Sequence, residues 1–169
     1  VAYIRSYFPS LALNKIASAE FAFEGILLKY NVKNKDAFVY FARSICGGRL
    51  SRLDDLENNL MKAIECAGKT SDHYLLYVFF SHLGFTQTYD GNTIGAVSSY
   101  RMAKKEATIL ENAYLQVLID INISDIYYRN GFFHQSLFYL NEANGLIARN
   151  NLKEQRLKNT LYYNIAENY

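Results

Sequence analysis

The sequence predicts an all-α chain of antiparallel helix hairpins, and three observations carry that expectation. A single proline interrupts 169 residues, and proline is the residue that helix interiors exclude. Apolar residues recur at spacings of three and four, as in Leu56, Leu60, Ala63, Ile64 and Ala67, or Leu137, Leu140, Ala143 and Ile147. That is the stripe of a helix; the alternation of a strand is absent. Residue size classes also return at an interval of about 40, the mark of a stacked repeat.

Helices are expected near 10–29, 35–46, 51–67, 72–89, 93–108, 112–129, 133–149 and 152–169. Residues 1–8 are expected to finish an earlier helix, with Pro9 opening the next, where a missing N–H costs nothing. The breaks fall at clusters of helix-stop and helix-start residues. These are Asn31 to Lys35, Gly47-Gly48, Gly68 to Ser71, Asp90 to Thr93, Arg129 to Gly131 and Asn150-Asn151. Ser71 is the expected N-cap ahead of Asp72. Every connection is short, so successive helices run antiparallel and touch. With no linker or low-complexity stretch, residues 1–169 form one expected domain.

Composition narrows the function classes. Half the residues are hydrophobic and the net charge is only +2, which excludes disorder. Eighteen basic against 16 acidic residues give no nucleic-acid footprint. The apolar run Tyr74 to Phe80 is far short of a bilayer span. The absence of an initiator methionine and of a signal-peptide pattern, with a helical pattern reaching Tyr169, suggests a segment of a longer protein. Cys46 and Cys66 fall at opposite ends of one hairpin and are expected as free thiols. Free thiols tilt the location toward cytoplasm over bacterial periplasm.

The repeat fixes the register. Ala63, Ala103 and Ala143 are 40 apart, as are Leu60, Tyr100 and Leu140; Gly91 and Gly131 keep the same interval at turns. Ala96 and Ser136 match as small residues, Val97 and Leu137 as apolar ones. Upstream, Ala42, Gly84, Ser124 and Ala166 follow at 42, 40 and 42. Small residues belong where helices cross closely and large ones fill the gaps beside them.

These residues resemble the tetratricopeptide repeat. Leu83-Gly84, Gly91, Ala96, Tyr100 and Ala103 follow its order and spacing, and Ile123-Ser124, Tyr127, Gly131, Ser136, Leu140 and Ala143 follow it again. Phe41-Ala42, Ile45, Leu56, Leu60 and Ala63 form a third copy, and Ile165-Ala166 with Tyr169 begins a truncated one. The resemblance implies repeats at 35–71, 72–111 and 112–151, a truncated repeat at 152–169, and a degenerate one at 1–34 with Ala17, Ala19, Phe21 and Ala22. It implies a right-handed α-α superhelix, a TPR-like solenoid of antiparallel helix hairpins. The period departs from the standard 34 residues and the helix-ending proline is missing from every copy. Long-period arrays of this kind resemble those of bacterial regulators and sensors, among them transcription activators, sensor kinases and cyclic-dinucleotide enzymes.

In that register the wall lined by first helices carries Val78, Ser81, Phe85, Thr88 and Tyr89 in one repeat. The next contributes Leu118, Ile121, Asp125, Tyr128 and Arg129, and the earliest Arg43 with Tyr40. Aromatics beside an arginine suit an extended peptide, since tyrosine gives amphipathic area and arginine grips a carboxylate in two places. The family's lysine/asparagine clamp for C-terminal carboxylates is not reproduced. The plainer account makes the tyrosines packing residues and Arg129 a solvated helix end.

Chemistry is not expected. Gly47-Gly48 lacks the strand and lysine of a phosphate loop. Asp54-Asp55 and Glu57 complement a helix dipole, and Ser98-Ser99 and Ser81-His82 lack a base and its orienter. His73, His82 and His134 are too scattered to bind zinc. Arg101, Lys104, Lys105 and Glu106 read as a solvated helix face, and the basic stretch Arg149 to Lys158 has no stacking platform for nucleic acid. The expectation is a non-catalytic scaffold for protein or peptide, without cofactor or metal, in the sensory or regulatory part of a larger bacterial signalling or transcription-regulatory protein. The alternatives are a dimerising, signal-transmitting module and a small-molecule sensor with a pocket between helices.

Overall fold

The computed structural model describes residues 11–30, 32–50 and 52–168, with backbone alone for Ala17 and Leu53. The helix expected over 1–8, the role of Pro9, and Asn31 and Tyr169 lie outside the described residues. Within them a 3-10 turn, Leu13–Lys15, leads into eight α-helices and no strand. These are α1 (Ile16–Lys29), α2 (Lys35–Arg49), α3 (Leu53–Lys69), α4 (His73–Tyr89), α5 (Thr93–Ile109), α6 (Ala113–Arg129), α7 (Phe133–Arg149) and α8 (Gln155–Glu167). No described helix is long and apolar enough to cross a membrane.

One turn geometry recurs at 20-residue intervals. Ser71, Gly91, Glu111, Gly131 and Asn151 all take positive φ, between 48° and 76°. The N–H that follows each reaches back over the helix end: Asp72 to the Ala67 carbonyl, Asn92 to Gln87, Asn112 to Ala107, Phe132 to Tyr127 and Leu152 to Ile147. A left-handed residue closing two such bonds is the common way to satisfy the orphaned carbonyls of a helix end. Glycine fits it without strain at 91 and 131. Three of the next helices start alike, with Asp72, Asn92 and Asn112 accepting from the backbone N–H of Leu75, Gly95 and Leu115 at 3.0–3.1 Å. The cap expected at Ser71 therefore sits one residue later, because Ser71 is committed to closing α3.

Gly47-Gly48 does not break the chain: α2 continues through both to Arg49. A β-carbon on Gly47 would lie 3.0 Å from the Leu56 backbone nitrogen, and one on Gly48 2.7 Å from Leu56 Cδ1. The glycines serve the close approach of α3. Two other boundaries move inward: α1 begins at Ile16, and α8 at Gln155 where 152 was expected.

The described residues group into two compact units, one ending at Phe79 and the other beginning at Phe80, the division falling inside α4. In the first, α1 packs on α2 and α2 on α3. Phe41, Ala42, Leu60, Ala63 and Ala67 are all but fully buried, and the Phe41 and Phe79 rings meet at 4.8 Å. Asn34 Nδ2 donates to Asp72 Oδ2 at 2.8 Å, tying the α1–α2 turn to the cap of α4.

In the second unit α5 packs on α6, α6 on α7 and α7 on α8, and α6 also touches α8, its second neighbour along the chain. Val117, Ile121, Leu140, Ala143, Ile147, Leu157 and Leu161 form one core across α6, α7 and α8. Gly84 lies against the face of the Tyr100 ring. The repeat positions behave alike across the two units: Ala63, Ala103 and Ala143 are fully buried, as are Leu60 and Leu140, with Tyr100 nearly so. Ala42, Gly84 and Ser124 are buried too; Ala166 departs, exposed on α8.

Candidate peptide-binding face

The expected face divides by burial. Val78 and Ile121 are 3% and 7% exposed; these apolar positions belong to the core and offer nothing to a partner. Ser81 and Thr88 are half-buried, and the Thr88 hydroxyl is spent on the Gly84 carbonyl at 2.8 Å.

What remains in the second unit is aromatic and charged. On α4, Phe85 and Tyr89 are 51% and 78% exposed with ring centroids 4.7 Å apart; His82 stacks on Phe85 at 6.3 Å. On α6, Tyr128 stands edge-on to Phe133 at 5.6 Å. Arg129 Nε meets Asp125 at 2.8 Å, one turn back. The hydrogen bond and charge of Asp125 raise the Arg129 pKa, and the Tyr89 phenol adds to it, so Tyr89 lies within electrostatic reach of Arg129. Phe85, Tyr89, Asp125, Tyr128 and Arg129 thus combine aromatic area with a solvent-facing ion pair.

Arg43, in the first unit, has a different use. Its Nη2 lies 2.6 Å from Glu24 Oε1 and its Nε 3.4 Å from Glu20, so its charge fastens α2 to α1. Tyr40 beside it carries two cations over its ring, Arg43 at 5.8 Å and Lys62 at 5.6 Å. Tyr40 and Arg43 flank a shallow depression with Glu24 and Lys35.

The supposed solvated face on α5 is half internal. Lys104 Nζ lies 2.7 and 2.8 Å from the two oxygens of Asp120, which is fully buried, and Glu106 is 6% exposed. Burial pushes Asp120 up to about 6, against the Lys104 hydrogen bond and charge and with the Glu142 charge adding to the rise. The correction has a simple cause: α6 packs on the α5 face bearing Lys104. Asp54 and Asp55 do sit in the first turn of α3, where Arg52 pairs with Asp55 at 3.3 Å.

A second surface escaped the sequence argument. Arg101, Tyr127, His134, Gln135, Phe138 and Tyr139 line an open cradle in the second unit. Tyr127 and Tyr139 stack at 5.7 Å, Phe132 and Phe138 stand edge-on to them, and Arg101 donates to the Tyr139 hydroxyl at 3.0 Å. The available signal was density: six aromatics fall between Tyr127 and Tyr139, around the Asn130-Gly131 turn.

Among the described residues no group of three or more His, Cys, Asp or Glu could hold a metal ion. Both cysteines are free. Burial, with the charge and hydrogen bond of Glu20, pushes the Cys46 thiol up to about 12. No protein-family model matches the sequence, and no curated protein matches it. The likeness to a helical repeat therefore rests on residues, recurring turns and packing between neighbouring helices.

Proposed function

We propose that the chain is a TPR-like helical-repeat scaffold that binds an extended peptide along the first helices of its hairpins, without catalysing a reaction. On this reading the hairpins are successive turns of a right-handed α-α superhelix. The support is the 20-residue recurrence of turn and cap, with the contact of α6 on α8 expected when one hairpin stacks on the next. The observation that carries the binding role is the exposed pair Phe85 and Tyr89, with Tyr89 within electrostatic reach of the Asp125–Arg129 pair. Large aromatics and arginine are the residues that dominate binding energy at interfaces, and no core packing accounts for their exposure here. The setting that the family resemblance favours is a regulatory or sensory domain of a larger bacterial signalling protein.

The test is a display selection of random peptides on the wild-type chain, with affinities then measured on surface variants. Phe85→Ser with Tyr89→Ser should weaken selected peptides by at least about tenfold, as loss of hot-spot aromatics does, with the circular dichroism unchanged. Tyr128→Ala with Arg129→Glu should do the same. Selected peptides that bind all variants as well as wild type would overturn the assignment.

A second reading is favoured by the cradle at Arg101 and Tyr139, where Phe132 and Phe138 are 50% and 59% exposed. That surface suits a second copy of the chain. Light scattering across concentrations tests it: a dimer abolished by Phe138→Ser supports it, and a monomer throughout removes it.

A further inference from the structure

A small polar pocket lies in the second unit where α6, α7 and α8 meet, lined by Asp125, Tyr128, Ser136, Asn164, Glu167 and Asn168. Two of its residues hold buried oxygen atoms with no hydrogen-bond partner, Ser136 Oγ and Asn168 Oδ1. Ser136 is fully buried. Buried oxygens are almost always satisfied, so two orphans in one pocket mark a place where something else binds. Asn168 gives one N–H of Nδ2 to the Asn164 carbonyl at 2.8 Å, and its Oδ1 is the acceptor left without a partner. Glu167 accepts one bond from the Tyr163 hydroxyl at 2.6 Å, and Asp125 is held by Arg129 at 2.8 Å.

We infer that this pocket receives the ε-ammonium of a lysine from the peptide bound on the adjoining face, a proposal that rests on the peptide-binding reading for the source of that lysine. The charge balance favours a cation, with two carboxylates against the single guanidinium of Arg129. The valence favours an ammonium, whose three N–H donors match Ser136 Oγ, Asn168 Oδ1 and a carboxylate oxygen. An anion finds mostly acceptors here. The free space, about 20 Å³, admits one water-sized group, which fits an ammonium and excludes a guanidinium. The Asp125 and Tyr128 side chains belong to both pocket and face, so a lysine could enter from a peptide lying along α6.

The experiment is an NMR titration of the isotope-labelled chain at fixed ionic strength, using Nα-acetyl-lysine-N-methylamide as the probe. Its neutral counterparts are the Nε-acetylated form and the norleucine analogue. Saturable shifts confined to Ser136, Asn164 and Asn168 are expected with the charged probe, and affinity about tenfold weaker with either neutral one, the difference a charged hydrogen bond makes. Glu167→Gln and Ser136→Ala should each weaken the charged probe. Ser136→Ala is expected to fold, since Ala96 fills the matching position one hairpin earlier with full burial. No saturable shift, or equal response to the neutral probes, or indifference to both variants would overturn the inference and leave the pocket with an ordered water. The titration needs no peptide, so it separates the two proposals. Peptide binding that depends on Phe85 and Tyr89 while this probe fails removes only the ammonium site; a failed peptide selection leaves the titration readable.

Discussion

Replacing Gly84 with alanine tests the helix crossing on which the repeat register depends. A β-carbon built there lies 2.9 Å from Cδ2 and Cγ of Tyr100 and 3.0 Å from Cδ1. Carbon atoms prefer about 3.5–4.0 Å, so ring or helix must retreat by roughly half an ångström or more. Tyr100 is 4% exposed, and the atoms approached are at the base of its ring, where no rotamer change relieves them. Overpacking of this kind costs about 1–3 kcal/mol, against about 1 kcal/mol returned by alanine's helix propensity. The expected net loss is about 1 kcal/mol, a fall in Tm of about 2–4 °C for a chain of this size. Gly145→Ala is the matched control in the same unit: its β-carbon meets only the tip of the Arg149 side chain, Nη1 at 3.1 Å. That tip swings away, so the substitution should stabilise by up to about 1 kcal/mol. Thermal and urea unfolding of both variants give the answer. Equal stabilisation by the two alanines, or a Gly84→Ala effect strictly additive with Tyr100→Leu, would refute the crossing.

Asp120 gives a pH dependence with a definite sign. Its folded pKa of about 6 exceeds the unfolded value of about 3.9, so its contribution is full below about pH 4 and lost as pH rises through 6. Urea unfolding should therefore show wild type losing about 2 kcal/mol relative to Asp120→Asn between about pH 4 and pH 7; a gain for wild type over that range would mean that the Lys104 ion pair outweighs burial. Glu111 holds a left-handed φ of 52° where two equivalent turns use glycine, and Glu111→Gly should raise stability by about 0.5 kcal/mol. A fall in the unfolding midpoint would show the strain to be absent. Iodoacetamide at pH 8 should modify half-buried Cys66 in the native protein and leave Cys46 intact until denaturant is added, as mass spectrometry of the peptides would read. Native labelling of Cys46 at the Cys66 rate would contradict its burial.

Much of the fold was legible because its signals are local or periodic. Spacings of three and four placed the helices, and a recurrence of residue size at 40 singled out Ala63, Ala103 and Ala143 as small residues at close crossings, where all three are fully buried. Glycine was ambiguous because it both ends helices and lets them touch; at Gly47-Gly48 the second use wins, and only the position of Leu56 reveals it. Half the period was hidden for a related reason. The turn at Glu111 has the same backbone as those at Gly91 and Gly131 but no residue that advertises it. Side-chain pairing was the least readable layer. That Arg43 is engaged by Glu20 and Glu24, and Lys104 by Asp120, depends on which faces of two helices meet. Of the positions expected on the candidate face, Phe85 and Tyr89 are exposed, whereas Val78 and Ile121 lie in the core, a depth that helical spacing alone does not fix.

The five equivalent turns constrain how such a chain can change in length. Backbone alone would allow insertion or loss of a single helix with its turn, since each junction accepts either neighbour. Orientation forbids it, because one helix more or fewer reverses the direction of everything downstream and turns buried alanines toward water. If the hairpins stack as proposed, growth is quantised in pairs, and a natural or engineered variant should differ by whole hairpins of about 40 residues.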